Sequence, residues 1–123
     1  TPNPYPFIMI NTTYLPNTFT GDGCGWTGVT GRIFDRNGKP LVLDTLGVRV
    51  AGPDDISVAA GSYQSLGDSG WLVQYDVVAK EIKGTVQVFY KDKPVSDPIP
   101  YTTHRSCFEN LLIIDIQQIR ALP

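Results

Sequence analysis

The chain has 123 residues, of which 41% are hydrophobic and 18% charged, and its formal net charge is −2. This length is enough for one domain with a hydrophobic core of its own. The ten Lys and Arg residues are scattered and form no basic stripe that would neutralise phosphates, so nucleic acid is excluded as an expected partner. No apolar run is long enough to cross a bilayer, so membrane insertion is not expected either.

The N-terminal segment predicts an extended arm followed by a strand. Residues 1–6 have Pro at every second position, which favours an extended arm and is interpreted as a processed terminus or a linker. Phe7 to Ile10 is apolar on both faces, and the strand continues to Leu15. A connection rich in Pro, Gly and Asn follows. We therefore divide the chain into an N-terminal arm and strand over 1–20 and a body over 21–123.

Alternating apolar and polar residues predict the strands of the body. No segment shows a convincing helical period. Seven or eight short strands at intervals near ten residues predict an all-β fold, a seven- to eight-stranded Greek-key β-sandwich with an extended N-terminal strand. The predicted strands of the body cover 28–35, 41–43 and 46–51 as one or two strands, 56–60, 71–77, 85–90, 99–103 and 110–116. The side chains expected to share one interior are Trp71, Val73, Tyr75, Val77, Val86, Val88 and Tyr90.

The two cysteines predict a disulfide bridge. Cys24 and Cys107 both stand at element boundaries beside small or polar residues, which is a poor environment for a buried thiol. A bridge between them would clasp the start of the body to its end and contribute about 4 kcal/mol if chain entropy dominates. A disulfide implies an extracellular or cell-surface location.

Two motifs carry a family resemblance. The segment from Gly28 to Leu41 and the turn Asp68-Ser69-Gly70-Trp71 resemble the carboxypeptidase-regulatory-like and prealbumin-like β-sandwich modules. More narrowly, the residues around Cys24 and Cys107 resemble a domain of secreted and surface proteins of Chloroflexi-like bacteria. The resemblance implies a prealbumin-like or Ig-like fold and a role as a stalk, spacer, adhesion or assembly unit. The matching positions of the first motif are Gly31, Ile33, Asp35, Gly38, Pro40 and Leu41.

No catalytic constellation or cofactor motif is found in the sequence. His104 is the only histidine, and in a strand its spacing from Cys107 would put the two side chains on opposite faces. These residues with Cys24 would supply only three ligands for a soft metal, and binding would compete with the bridge. We therefore expect no enzyme activity, no metal and no cofactor.

Aromatic residues in glycine-rich loops leave carbohydrate binding open. The alternating pattern places Trp71 in the core but does not assign Trp26 or Tyr63 to it. Aromatic rings are common platforms for sugars. Surface glycans are therefore a possible ligand class at these two residues.

Two segments are apolar on both faces, Phe7 to Ile10 and Leu111 to Ile114. Either the N-terminal strand joins its own sheet, or it inserts into a neighbouring copy and adds a strand there. A head-to-tail contact of the second kind generates filaments. We expect an extracellular, pilus-like homopolymer assembled by N-terminal strand exchange, with a monomeric stalk, adhesion or carbohydrate-binding module as the alternative. The expected assembly interface is Phe7, Ile8, Met9, Ile10, Leu111 and Ile113.

Overall fold

The computed structural model describes residues 4–123 and is all-β, with two sheets packed face to face, so the predicted sandwich is confirmed. The first three residues of the predicted arm lie outside the described residues. Nine strands are present in the described part where the sequence predicted seven or eight. They are β1 (Phe7–Leu15), β2 (Thr27–Phe34), β3 (Leu46–Ala51), β4 (Asp55–Ala59), β5 (Trp71–Asp76), β6 (Lys83–Tyr90), β7 (Lys93–Pro94), β8 (Ile99–Thr102) and β9 (Leu111–Gln118).

The strand order places β1 at the edge of one sheet. The first sheet has the order β1-β9-β2-β5, and the second has β4-β3-β6-β7, with β8 also pairing with β6. β9 runs parallel to β2 and antiparallel to β1. Because β2 and β9 are parallel, Thr27 and Leu111 lie at one end of the sandwich, and Phe34 and Gln118 lie at the other.

The two ends of the sandwich differ. Cys24 and Cys107 form the predicted disulfide, with their Cα atoms 5.0 Å apart. They precede β2 and β9, so the bridge lies at the end where these strands begin, which we call the bridge end. The opposite end, where β2 and β9 stop, is called the far end. Within residues 4–123 no helix is long and apolar enough to span a membrane.

The main core follows the alternation of the strands. Val86 and Val88 of β6 are fully buried between the sheets, and Val48 and Val50 of the neighbouring β3 are equally buried. Arg49, between them, points outward and is exposed. The predicted common interior is confirmed for Trp71, Val73, Val86 and Val88, with Tyr75 and Tyr90 packed half-buried against it.

The structure departs from the predicted pattern at two loops. Residues 41–43, predicted as a strand, form none, because the chain leaves β2 through a single bridge at Pro40 and then turns at Thr45, whose φ is 62°. Val77 was expected to face the core and is 70% exposed, so that prediction is wrong. β5 ends one residue earlier, where the Val77 N–H donates to the Asp76 carboxylate (2.7 Å) and turns the chain away.

A second hydrophobic cluster lies on the outer face of the first sheet. It consists of Trp26, Leu66, Leu111 and Ile113, with Tyr63 and Leu72 packed against it. The loop before β5 and the connection before β2 supply its outer layer. β9 is therefore buried on both faces, which explains why its sequence is apolar without alternation.

Candidate functional site

The N-terminal strand lies in its own sheet. β1 pairs antiparallel with β9 from Phe7 opposite Gln118 to Leu15 opposite Leu111. The register shifts between Met9 and Asn11, where one extra residue is accommodated. In a single chain, β1 thus completes the first sheet beside β9, and it does so from outside the loop closed by the disulfide.

The start of β1 is fastened to both sheets. The Phe7 side chain is fully buried in the main core, and its N–H donates to the carbonyl of Val95, the residue after β7 of the second sheet (3.1 Å). The Ile119 N–H donates to the Pro6 carbonyl (2.6 Å), and the Arg120 guanidinium donates to the Tyr5 carbonyl (3.0 Å). Phe7 is therefore the anchor of the strand.

The three apolar residues after Phe7 are less buried than the sequence suggested. Ile8 is half-buried, while Met9 and Ile10 are 43% and 48% exposed. They lie at the register shift of an edge strand, so one side of each is left without a covering element. Of the expected interface residues in β1, only Phe7 fills the core, and Met9 and Ile10 form an exposed apolar edge.

The other end of β1 is held by an aromatic stack. Tyr14 lies parallel to the His104 ring, with the ring centroids 3.8 Å apart, and its hydroxyl donates to the Thr102 carbonyl (2.6 Å). His104 Nδ1 lies 3.4 Å from Glu109 Oε1. Burial, followed by the charge of Glu109, raises the pKa of Tyr14. His104 thus packs against the N-terminal strand, a contact that the sequence did not indicate.

A buried asparagine pair ties the connection after β1 to the start of β9. The Asn17 N–H donates to Asn110 Oδ1 (2.9 Å), and Asn110 Nδ2 donates to the carbonyls of Gly23 (2.8 Å) and Trp26 (3.1 Å). Both asparagines are nearly fully buried. We call this arrangement the asparagine latch. Its only sequence signal was an Asn at the border of an apolar run.

The expected interface residues of β9 are covered by the chain itself. Leu111 is fully buried and Ile113 is 6% exposed, and both pack in the second cluster with Trp26 and Leu66. Their side chains lie on the face opposite the main core, which receives Leu112 and other residues of the alternate register. β1 therefore covers the edge of β9, while the loops cover its outer face.

The two aromatic residues proposed for sugar binding do come together, but in the second cluster. Trp26 is fully buried, and a Cβ added at Gly28 would lie only 2.7 Å from its ring, so the absence of a side chain at Gly28 makes room for the indole. Tyr63 is half-buried, and its hydroxyl donates to the Phe19 carbonyl (3.3 Å). A buried indole offers no face to a sugar, so Trp26 acts in packing.

A cleft opens along the seam between β1 and β8. It has a volume of about 270 Å³ and reaches the main core from the side of the sandwich. Thr12 and Tyr14 form its β1 wall, and Pro100 and Thr102 form its β8 wall. The seam marks where the N-terminal strand separates the core from solvent.

Comparison with known proteins assigns no family to the chain. No model of a protein family matches it, and no curated protein and no solved structure is detectably similar to it. Among residues 4–123, no group of three or more His, Cys, Asp or Glu side chains is placed to hold a metal ion.

Proposed function

We propose that the protein is an extracellular structural subunit that assembles with copies of itself by exchange of β1, giving a pilus-like filament. The observation that carries the proposal is the position of β1. It is an edge strand that completes the first sheet, and it precedes Cys24, so it can leave the body without breaking the bridge to Cys107. The role is structural rather than catalytic, and the partner is a second copy of the chain.

The energetics favour keeping this position occupied. Removing β1 would uncover the edge of β9 and leave a hole where Phe7 fills the main core. Burying one Phe side chain contributes about 1.5–3 kcal/mol, so an empty site is unfavourable. A strand from the same chain or from another copy satisfies the site with the same contacts. The balance between pairing within one chain and pairing between copies depends on the connection that follows β1 and on the local concentration of subunits.

The disulfide supports the extracellular part of the proposal. The bridge joins residues separated by 83 positions and holds the body of the sandwich together on the C-terminal side of β1. Bonds of this kind persist in oxidising environments outside the cytosol. A body stabilised in this way is suited to remain folded while its N-terminal strand is exchanged.

A monomeric stalk or adhesion module is the second candidate. The observation in its favour is that β1 is paired with β9 of its own chain from Phe7 to Leu15, apart from the one extra residue at the register shift. In this form the strand closes the sandwich, and the module acts alone as a spacer on a surface. A glycan-binding version of this module would need a surface other than the buried Trp26 ring.

The two candidates are separated by removing β1 and supplying it again. We expect a chain lacking residues 1–15 to fold but not to assemble, and a synthetic peptide of residues 5–15 to bind it. A peptide with Phe7→Asp should fail to bind because it buries a charge in the core, while one with Asn11→Asp, changed at an exposed position, should still bind. If the full-length chain stays monomeric at high concentration and the truncated chain fails to fold even with the peptide, the strand belongs to its own domain and the stalk is correct.

A further inference from the structure

An exposed phenylalanine projects from the bridge end of the sandwich. Phe108 is 79% exposed, although its backbone is firmly held. Its N–H donates to Ser106 Oγ (3.2 Å), the next N–H, of Glu109, donates to the Ser106 carbonyl (3.0 Å), and Cys107 carries the disulfide. A large apolar side chain on a rigid turn is typical of a contact residue and is otherwise unfavourable in water.

A groove with both apolar and polar lining lies at the far end. Its volume is about 440 Å³, and it is lined mainly by aliphatic side chains and backbone of the loop after β2 and the end of β4. Val42, which is 53% exposed, and Leu43 form one wall, and Ala59 and Ala60 form the other. A closed cavity of about 150 Å³ is enough to hold benzene, so this groove has room for a phenyl ring.

The strand directions place the phenylalanine and the groove at opposite ends of the molecule. Phe108 comes three residues before β9 begins, whereas the loop carrying Val42 follows the end of β2, where the Leu41 N–H donates to the Ile33 carbonyl (2.9 Å). Because β2 and β9 are parallel, the beginning of one and the end of the other lie at opposite ends.

We infer that Phe108 of one copy inserts into the far-end groove of the next copy. This inference shares with the proposed function only its partner, a second copy of the chain, and requires no strand to leave its body. Charges near the two surfaces agree with it. Asp44 lines the groove, and Arg105 lies in the same loop as Phe108, three residues before it, without an ion-pair partner in residues 4–123, since Glu109 faces His104. A contact between different ends repeats without closing and so extends into a filament.

The test removes each half of the contact separately. Phe108→Ser and Val42→Asp should each weaken association of the full-length chain by about tenfold or more, as measured by sedimentation. Val77→Ser removes an apolar side chain that is 70% exposed and outside the groove, and it should leave association unchanged. Both target side chains are exposed, so the variants should keep the unfolding midpoint of the unaltered chain.

Mixing the two variants makes the test specific. The Phe108→Ser chain keeps its groove and the Val42→Asp chain keeps its phenylalanine, so together they can form one contact. Energy transfer between differently labelled variants should be higher in the mixture than in either variant alone. Equal transfer in all three samples, or association unaffected by both substitutions, would overturn the inference.

The same experiment separates this contact from strand exchange. If deleting residues 1–15 abolishes association while Phe108→Ser does not, exchange is correct and the contact of Phe108 is wrong. If the truncated chain still associates and loses association on Phe108→Ser, the contact is correct and the proposed exchange is wrong. A full-length chain that does not associate at any concentration contradicts both.

Discussion

The N–H of Asn17 donates to the side-chain oxygen of Asn110 across 93 positions of sequence. This bond fixes the connection that leads out of β1 to the start of β9, so with the asparagine latch intact β1 can pivot only near Pro16. When the latch opens, the eight residues 16–23 can span at most about 26–29 Å before the bridge at Cys24 stops them. In the proposed exchange, the latch would therefore set how far the exchanged strand can reach.

Opening the latch should speed the release of β1. Asn110→Ala removes the acceptor for Asn17 and the donor to Gly23 and Trp26, at a cost of about 1–3 kcal/mol in the free energy of unfolding. Uptake of a fluorescent peptide of residues 5–15 by the full-length chain should become faster, because the peptide enters only where β1 has left. Asn11→Ala, at an exposed position, is the control. A destabilised Asn110→Ala chain with unchanged uptake would show that the latch does not limit exchange.

Removing the disulfide should destabilise the body strongly. A loop of 83 positions corresponds to about 4–5 kcal/mol if the bridge acts on the entropy of the unfolded chain. We expect the double variant Cys24→Ser, Cys107→Ser to lose this amount in urea unfolding monitored by tryptophan fluorescence. A loss below about 1 kcal/mol would mean that the bridge does not restrain the unfolded chain in this way.

Adjacent positions on β6 should lose very different amounts of stability on the same substitution. Val88 is fully buried, so Val88→Asp places an unpaired carboxylate in the core and should cost more than about 4 kcal/mol. Gln87 is half-buried, and its amide donates to the Ser96 carbonyl (2.9 Å). Gln87→Asp loses this bond and should cost only about 1 kcal/mol. Similar losses at both positions, measured by urea unfolding, would contradict the strand register.

Stability should fall at alkaline pH because of a buried tyrosine. Burial, followed by its hydrogen bond with Tyr75, raises the pKa of Tyr101 well above the ordinary value of 10.0, and its hydroxyl donates to the Ala51 carbonyl (3.0 Å). Since the unfolded chain ionises first, the stabilisation is complete below pH 10 and is lost as the pH rises toward the folded pKa. Tyr101→Phe should therefore show a shallower decrease in unfolding free energy above pH 10. An identical decrease in both proteins would contradict this origin.

Alternation along single strands was enough to predict the main core. Val86, Val88, Trp71 and Val73 are placed by the period of two, which depends only on local backbone geometry. The disulfide was also predictable, because both cysteines border strands. The prediction for Val77 was wrong because β5 ends before the alternating pattern of its sequence does. That pattern gives no sign of the hydrogen bond to Asp76 at which the strand ends.

The contacts in the second cluster and around β1 were less predictable because they join segments that are distant in sequence. Trp26 was expected in an open loop, and it is buried because Leu66 and Tyr63 arrive from a loop about 40 residues later. The stack of Tyr14 on His104 and the asparagine latch likewise depend on the order of strands in the sheet. Sequence periodicity identifies which residues are buried more readily than what buries them.

The most direct test of strand exchange traps the partner of β1. Thr13 and Ile113 are opposite each other in the pairing of β1 with β9, so Thr13→Cys with Ile113→Cys allows a second bridge between these strands. The protein is oxidised at assembly concentration and separated on a denaturing, non-reducing gel. Exchange predicts a ladder of covalent dimers, trimers and longer species that collapses on reduction. A single band at the monomer mass with two internal bridges would show that β1 stays in its own chain and would contradict the proposed assembly.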